Sequence, residues 1–287
     1  MSSRTTVVKS GAMRGWEMPV LWVLLALSFL AAFVPADIPG LLALLVGWIP
    51  VVFAFWHLSR WAGGWNAVGV FVIIAVVSFI VEALGVATGL VFGNYYYPDG
   101  PLGPLVLGVP PLIQLQYFAM GYACLMMARS ITGTLSTVAR GWVLWAGAII
   151  GAFGMTALDL SSDPMQSTVL GDWIWRDGGA YFGVPIHNFV GWFVETFIFF
   201  VLVQFFLSRP SAQARISAAK PRGFFLAGIL LAGTFPFAII VRPFLIAPSE
   251  IAHAMAGVAA FAVVPMVFIA LVTLARSATE STPSKTP

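Results

Sequence analysis

Charged residues are scarce in this sequence. They make up 9% of its 287 residues, whereas hydrophobic residues make up 60%, and a soluble domain carries roughly 25% charged residues. This scarcity excludes an ordinary soluble core, and no stretch between the apolar runs is long enough to fold as a soluble domain of its own. The formal charge is +3, but the basic residues stand at the ends of apolar runs instead of forming a cluster. The sequence therefore predicts no nucleic-acid partner.

Cysteine and compact ligand motifs are also nearly absent. Cys124 is the single cysteine and lies in an apolar run, so no intramolecular disulfide can form. The three histidines, His57, His187 and His253, fall near the ends of different runs, and no spacing typical of metal ligands surrounds them. A Gly-rich phosphate loop and a nucleophile elbow are missing as well. We therefore expect neither a metal site nor any other cofactor.

Long apolar runs dominate what is present, and a helix needs about 20 apolar residues to cross a membrane. The candidate spans are Met18–Phe33, Ile38–His57, Val68–Val91, Leu112–Ala128, Trp142–Leu158, Val184–Leu207, Phe224–Val241 and Ile251–Leu274. The prediction is an all-α integral membrane protein, a single polytopic domain over residues 1–287 built as a bundle of about eight transmembrane helices. The first run also resembles a signal peptide with a loose cleavage site at Val34-Pro35-Ala36. We expect it to be retained, because it makes the charges of all later loops consistent.

The basic residues are distributed unevenly over the two sides of this arrangement. Twelve of them share the side of the N-terminus and two, Arg176 and Arg242, fall on the other side, which accounts for all 14. Because cytoplasmic loops carry the excess of Lys and Arg, both termini are predicted to be cytoplasmic, with short tails at residues 1–15 and 277–287. The long loops Phe92–Pro111 and Asp159–Gly183 are then external.

These two loops resemble each other. Gly108-Val109-Pro110 and Gly183-Val184-Pro185 each open a span, and an aromatic pair, Tyr117-Phe118 or Trp192-Phe193, begins nine residues after each glycine. The pattern favours two hairpins of the same orientation that line one cavity open to the outside. The alternative is chance, since short Gly-Val-Pro motifs arise easily in so apolar a chain.

Carboxylates inside the predicted spans are candidates for function. Glu82 lies about eight residues, or ~12 Å, below the outer end of its helix, where an ionised carboxylate is costly and usually faces the bundle interior. Gly85 and Gly89 follow on the same side and predict a smooth groove for a long, flat, apolar ligand. The alternative is close helix packing, with Glu82 hydrogen-bonded to a neighbouring helix.

Two more groups of polar residues accompany Glu82. Asn188, Trp192 and Glu195 share one face of the sixth span, where Glu195 could equally be a structural hydrogen-bonding residue. Asp159 and Asp163 lie one turn apart, and Pro164 disfavours continuation of the helix beyond Asp163. We therefore expect the two aspartates at a helix end, with Asp163 partly wet; the alternative to a site role is a solvated outer rim.

Several of these motifs resemble a known family. The first group is Val81-Glu82-Ala83-Leu84-Gly85, Thr88-Gly89, Phe92-Gly93-Asn94-Tyr95-Tyr96-Tyr97, Leu102-Gly103-Pro104 and Gly108-Val109-Pro110. The second is Met155-Thr156-Ala157-Leu158-Asp159-Leu160, Asp163-Pro164, Trp173-Ile174-Trp175, Tyr181-Phe182-Gly183-Val184-Pro185 and Asn188-Phe189-Val190-Gly191-Trp192. Together they resemble the carotenoid-biosynthesis membrane proteins of the CruF type over roughly residues 70–200. Tyr117, where the family has Trp, and His187, where it has a small or aliphatic residue, depart from the pattern.

The resemblance implies a cofactor-free hydratase. Water would add across the C1′–C2′ double bond of an acyclic ψ-end, as in γ-carotene or lycopene, and give a tertiary alcohol. Glu82 would be the general acid and Asp159 would position the water, with Asp163 in support, although Glu82 and Asp159 could exchange these roles. Substrate contacts would come from Gly85, Gly89, Tyr95, Tyr97, Trp173, Trp175, Tyr181, Asn188, Trp192 and Glu195. The aromatic members could instead belong to the ordinary belt at the membrane interface.

The expected partners follow from this chemistry. They are a carotenoid dissolved in lipid, the membrane lipids themselves and other enzymes of the pathway, in a bacterial or archaeal plasma membrane. Two other functions stay open on the residues alone. One is a proton-coupled transporter that uses Glu82, Glu195 and Asp159 as a relay, and the other is a non-catalytic carotenoid-binding protein.

The charge asymmetry makes a topological prediction. Reporter fusions at Ser211 and at Asp99 should label opposite sides of the membrane, with Ser211 cytoplasmic, because the basic loops stay inside. Enzymatic reporters active on one side only provide the measurement. Labelling of both fusions on the same side would contradict the eight-span arrangement.

Overall fold

The protein is a bundle of long helices. The computed structural model describes residues 13–34, 40–100, 102–245 and 249–279. Its α-helices are α1 Glu17–Leu30, α2 Gly40–Ala62, α3 Gly64–Thr88, α4 Ile113–Ile131, α5 Trp142–Asp163, α6 Ile186–Leu207, α7 Pro210–Ile216, α8 Arg222–Leu245, α9 Glu250–Val258 and α10 Val264–Thr279. A 3₁₀ turn, Ala31–Phe33, continues α1, and π-helical segments Pro164–Leu170 and Ala259–Val263 follow α5 and α9. Two short strands, β1 Tyr95–Tyr96 and β2 Ile174–Trp175, complete the described elements.

This architecture is that of an all-α membrane protein. Each of the eight predicted spans overlaps a helix, and the last span is α9, its π-helical segment and α10 in continuation. Five helical stretches in the described part are long and apolar enough to cross a membrane: Gly64–Thr88, Trp142–Leu170, Ile186–Leu207, Arg222–Leu245 and Glu250–Ser277. The short helix α7, between α6 and α8, was not expected from the hydropathy pattern.

The connection between α2 and α3 is tighter than predicted. A single residue, Gly63, separates the two helices, and its φ of +101° is one that glycine adopts without strain. His57 lies five residues before the end of α2, and its side chain is fully buried. Its Nδ1 lies 2.5 Å from the Tyr122 hydroxyl and its Nε2 lies 2.8 Å from the Phe224 carbonyl oxygen.

The α-helix α5 ends at Asp163, as expected, but Asp163 is not at a wet rim and the helical course of the chain goes on. The chain continues from Asp163 into a π-helical turn that begins with Pro164, and Asp163 is 1% exposed instead of partly wet. Pro164 has no N–H to donate to the Leu160 carbonyl oxygen one turn earlier, and the Tyr181 hydroxyl donates to that oxygen at 3.0 Å instead. The external loop therefore begins near Gly171, twelve residues later than Asp159, and both aspartates lie inside the bundle.

The similarity of the two external loops is structural. Val106 and Val109 exchange two backbone hydrogen bonds of 2.9 and 3.0 Å, and Tyr181 and Val184 exchange two of 3.1 and 2.9 Å. The central residues of both turns have positive φ, at 51° and 78° for Leu107-Gly108 and 51° and 91° for Phe182-Gly183. Positive φ at both central positions defines a type I′ turn. Each Gly-Val-Pro motif thus ends the same tight hairpin turn and leads into a helix.

The first of these loops descends into the bundle. Gln114, the second residue of α4, contacts the Ser78 hydroxyl of α3, and Ser78 lies ten residues, or ~15 Å, below the last residue of α3. Irregular backbone at membrane depth is tolerated only where protein surrounds it or where it lines a cavity. The loop between α3 and α4 therefore reaches into the interior with Phe92, Tyr95 and Tyr97, which are buried, while Leu90 and Leu107 at its surface are exposed.

Helix α5 packs closely on its neighbours because three glycines lie along it. A methyl group added at Gly151 would meet Phe200 of α6 at 2.8 Å, and one added at Gly154 would meet Met127 of α4 at 2.7 Å. Small residues let helix backbones approach in a membrane, where packing drives association. This close contact holds Asp159 and Asp163 against α6.

These contacts predict opposite outcomes for two Gly→Ala substitutions. Gly151→Ala should destabilise the fold by about 1–3 kcal/mol, because the added methyl group overpacks against the buried Phe200 ring. Gly257→Ala should be neutral or stabilising by up to about 1 kcal/mol, because no heavy atom lies within 4 Å of the added group and alanine favours the helix. Thermal unfolding in detergent measures both. Equal melting temperatures for the two variants would contradict the packing of α5 on α6.

Candidate active site

A small cavity lies among α3, α4, α5 and α6, beneath the two external loops. Its lining is mostly aromatic and acidic and consists of Glu82, Phe92, Tyr95, Tyr97, Ile113, Asp163, Trp173, Trp175, Asn188 and Trp192. The centre of a water molecule can occupy a volume of about 20 Å³ inside it. A cavity with polar walls needs ~10–15 Å³ by this measure to hold one water. The cavity therefore has room for a water and for little else.

Glu82 stands at one wall of the cavity with three tyrosine hydroxyls around it. Tyr95 and Tyr97 donate to its Oε2 at 2.5 and 3.1 Å, and Tyr117 donates to its Oε1 at 2.7 Å. The carboxyl is 4% exposed, so these phenols replace the water that would solvate it elsewhere. Two of the three come from the loop and one from α4, which ties the loop to the bundle through Glu82.

Asp163 stands at another wall, and its partners are of a different kind. The indole N–H groups of Trp173 and Trp175 donate to its Oδ1 at 2.9 and 3.3 Å. The Asn188 amide nitrogen donates to Oδ2 of Asp163 at 2.9 Å and to Oδ2 of Asp159 at 2.8 Å. One amide of α6 therefore bridges the two aspartates of α5, and Asp159 lies behind Asp163 as seen from the cavity.

Tyr117 connects the cavity to a further carboxyl. Its hydroxyl lies 3.4 Å from Oε2 of Glu195, and its ring stacks on Trp192 with centroids 4.9 Å apart and planes 7° apart. Oε1 of Glu195 is buried and has no hydrogen-bond partner within the described ranges. Glu195 thus joins the polar network from the side away from the loops.

The roof of the cavity is formed where the two loops meet. Strands β1 and β2 pair antiparallel, with Tyr95 opposite Trp175 and Tyr96 opposite Ile174. The Tyr95 and Trp175 rings lie 5.0 Å apart, and the Tyr97 and Trp173 rings lie 6.2 Å apart. Burial, reinforced by the neighbouring Glu82 carboxyl, raises the pKa of both Tyr95 and Tyr97 above the ordinary phenol value. These two hydroxyls therefore keep their protons at neutral pH.

Most of the side chains proposed from the sequence come together here. Eight of them line the cavity: Glu82, Tyr95, Tyr97, Asp163, Trp173, Trp175, Asn188 and Trp192. Asp159 and Glu195 each reach it through one intervening side chain, Asn188 and Tyr117 respectively. Tyr181 does not reach it, because its hydroxyl donates to the Leu160 carbonyl oxygen at 3.0 Å and its ring packs on Phe189.

The open groove predicted beside Glu82 is filled by the protein's own rings. A Cβ at Gly85 would lie 2.8 Å from the Phe92 ring and 3.2 Å from the Tyr95 hydroxyl. Gly89 ends α3 in a left-handed conformation with φ of +68° and faces Asn94. The two glycines thus admit the descending loop against α3, where the sequence had suggested space for a ligand.

Three lining or bridging residues were not among the predicted site residues. Phe92 and Ile113 complete the apolar walls, and Tyr117 links Glu82 to Glu195. Tyr117 carried a usable signal, because it is one turn after Gln114 in a helix rich in polar groups for its depth. Within the described residues, no group of three or more His, Cys, Asp or Glu side chains is placed to hold a metal ion.

Comparison with known proteins is consistent with this geometry. The model of a family described as "Carotenoid biosynthesis protein" matches residues 39–261. The bisanhydrobacterioruberin hydratase of Haloarcula japonica is 26% identical over 148 residues, which are 50% of this chain and 47% of that protein. The chain thus spans about half the length of this curated relative. No solved structure matches.

Fold and site together define an all-α membrane protein with a buried carboxyl and aromatic cavity. The match over residues 39–261 covers most of the chain. The chain belongs to the carotenoid biosynthesis protein family.

The pairing of the two loops can be tested by cross-linking. Cysteines introduced by Tyr96→Cys and Ile174→Cys should form a disulfide, because opposite residues of an antiparallel pair have Cα atoms ~4.5–5.5 Å apart. A shift in mobility on non-reducing gels provides the measurement. The native Cys124 is 1% exposed and does not compete.

The control pair for this test is Tyr96→Cys with Asp177→Cys. Asp177 lies three residues beyond Ile174, which is ~10 Å along an extended chain and too far for a disulfide. Cross-linking of the control pair, or of neither pair, would contradict the β1–β2 contact.

Proposed function

We propose that this protein is a carotenoid 1′,2′-hydratase that adds water to the C1′–C2′ double bond of an acyclic ψ-end group, as in γ-carotene or lycopene. The observation that carries the proposal is a water-sized cavity with Glu82 on one wall and Asp163 on another. The family match and the hydratase relative support the choice of substrate class and reaction. The substrate would reach the site from the lipid of the plasma membrane.

The partners of Asp163 favour an ionised carboxylate. Indole N–H groups donate and cannot accept, so Oδ1 of Asp163 carries no proton. Oδ2 accepts one hydrogen bond, from the Asn188 amide, and keeps a further lone pair for a water molecule. A carboxylate held by three N–H donors is suited to orient a water molecule and to accept its proton.

The partners of Glu82 permit a carboxylic acid as well as a carboxylate. A phenol hydroxyl both donates and accepts, so Tyr95, Tyr97 and Tyr117 remain hydrogen-bonded to Glu82 whether or not it carries a proton. A buried carboxyl with such partners can give up its proton and be stabilised afterwards by the same hydroxyls. Glu82 therefore keeps the role of general acid proposed from the sequence.

These roles account for hydration without a redox step. Glu82 transfers its proton to C2′, and the positive charge develops at the more substituted C1′. The faces of the aromatic rings that line the cavity stabilise this cation, and the water attacks C1′ as Asp163 accepts one of its protons. The proton on Asp163 returns to Glu82 through the next water to enter, so the net change is the addition of one water.

Asp159 takes a positioning role in this scheme. It does not line the cavity, but it shares the Asn188 amide with Asp163. Asn188 holds both aspartates at once, so Asp159 fixes the orientation of the amide that supports the base. We therefore assign the positioning of the water to Asp163, whereas the sequence analysis assigned it to Asp159.

Hydration is tested by expressing the protein in a host that makes lycopene or γ-carotene. The product should be more polar and heavier by one water, with an unchanged main chromophore because the reacting bond is not conjugated with the polyene. Heavy-oxygen label should enter from water. Label from dioxygen would replace hydration by hydroxylation, and no product from either pigment would favour the transport or binding function.

The effects of substitutions on turnover should distinguish the proposed acid and base from carboxylates that take no direct part in the reaction. Glu82→Gln and Asp163→Asn should each lower turnover by roughly 10²-fold or more, the usual effect of losing a general acid or base. Asp159→Asn should lower it less, because it acts through Asn188. Glu250→Gln, at an exposed helix start away from the cavity, is the matched control and should retain full activity. Full activity of Glu82→Gln in membranes that contain the protein would refute the mechanism.

A further inference from the structure

The cavity at Glu82 is far too small for the substrate class proposed for it. Its free space of about 20 Å³ holds a water, whereas a carotenoid is a long, rigid hydrocarbon. If the reacting end group is to reach Glu82, the remainder of the polyene must lie on another surface of the protein. A second surface for the polyene is required only if the proposed function, hydration of a carotenoid at Glu82, is correct.

A second, larger recess lies between α2, α3 and α4 and is open on one side to the membrane. We call it the lateral groove; its lining residues are Trp48, Val51, Val52, Phe55, Trp56, Phe71, Leu115 and Phe118. Its volume is about 440 Å³. All eight side chains are apolar, and five are aromatic. Such a surface is suited to a flat conjugated hydrocarbon and offers nothing to a charged or polar ligand.

The lateral groove and the cavity lie along one face of α3. Phe71 lines the groove and Glu82 lines the cavity, and Glu82 follows Phe71 by eleven positions, which is close to three full helical turns. The two side chains therefore point in nearly the same direction, ~16 Å apart along the helix axis. On α4, Ile113 lines the cavity while Leu115 and Phe118 line the groove. The same two helices thus form walls of both spaces.

A polar contact lies between α3 and α4 in the region between the two spaces. Ser78 lies on the same face of α3, between Phe71 and Glu82, and its hydroxyl contacts the amide oxygen of Gln114 on α4. The Gln114 amide nitrogen is buried and has no hydrogen-bond partner in the part of the chain that the structure describes. An unpartnered buried amide is costly. The Gln114 side chain is therefore only partly paired at its place between the groove and the cavity.

We propose that the lateral groove binds the polyene chain of a carotenoid, and that the reacting end group passes the Ser78–Gln114 contact to reach Glu82. The polyene enters from the lipid between α2, α3 and α4, lies against Phe71 and Phe118, and extends along α3 toward the cavity. Separation of Ser78 from Gln114 joins the two spaces into one binding site. The water-sized cavity, with Glu82 and Asp163 on its walls, lies at the far end of that site.

The experiment fills the groove and compares it with an equivalent surface outside it. Val52 lines the groove and is 46% exposed, while Val72 is 47% exposed and points away from the groove on α3. Val52→Trp and Val72→Trp therefore place the same ring on similarly exposed positions. Each is made in the active protein, to measure KM and kcat for hydration, and in the Glu82→Gln protein, to measure the carotenoid that co-purifies without being converted.

The groove predicts a difference between the two variants. Val52→Trp should lower the co-purified carotenoid roughly tenfold and raise KM to a similar extent, the effect of losing contact with about two methylene-sized groups. Val72→Trp should change neither quantity. Equal melting temperatures of the two variants show that the added ring has not disturbed the fold.

The other outcomes overturn the proposal in distinguishable ways. If both variants bind and convert carotenoid as the parent protein does, the groove is not the binding site, while the proposed hydration stands. An equal loss in both variants likewise removes the groove, because the effect would not depend on position. If the Glu82→Gln parent carries no carotenoid and the active parent makes no product, the groove and the proposed function both fail.

Discussion

The interior of this protein depends on how one carboxyl is accommodated inside a helix bundle. Glu82 lies on α3, deep enough that water does not reach it freely, and a carboxyl there requires partners. The chain supplies three tyrosine hydroxyls at 2.5, 3.1 and 2.7 Å. To bring two of them into reach, the loop after α3 must descend into the bundle. Gly85 and Gly89 leave the space for that descent, so the surroundings of Glu82 decide the course of the chain beside it.

The second half of the site is built in a similar way around an approximate two-fold relation. Both loops contain the same type I′ turn before a Gly-Val-Pro motif, and β1 pairs antiparallel with β2. Tyr117 and Trp192, each nine residues after the glycine of its turn, stack on one another at 4.9 Å. The two helix pairs therefore meet at equivalent positions, and one of the two stacked rings, Trp192, lines the cavity. Each pair supplies one acidic wall.

The chemical difference between the two halves is what an acid–base reaction needs. The loop of the first half contributes phenols, which donate or accept, and the loop of the second half contributes indoles, which only donate. The carboxyl beside the phenols can change its protonation state without losing its hydrogen bonds, whereas the carboxyl beside the indoles has only donors around it. Two similar loops thus surround their carboxyls with different partners, as the proposed acid and base require.

The sequence alone determined the class of protein and most members of the site. Apolar runs of sufficient length decide membrane helices whatever their neighbours are, and buried acids in such runs are costly enough to indicate function. Tertiary structure decided the rest, because it depends on contacts between distant residues. Only the packing of α5 on α6 places Asp163 at the cavity and Asp159 behind it. Only the descent of the loop fills the groove at Gly85 and leaves an apolar recess on another face, between α2, α3 and α4. A local sequence pattern indicates how deep a residue lies in the membrane. Which residues contact it across the bundle depends on the packing of the whole chain.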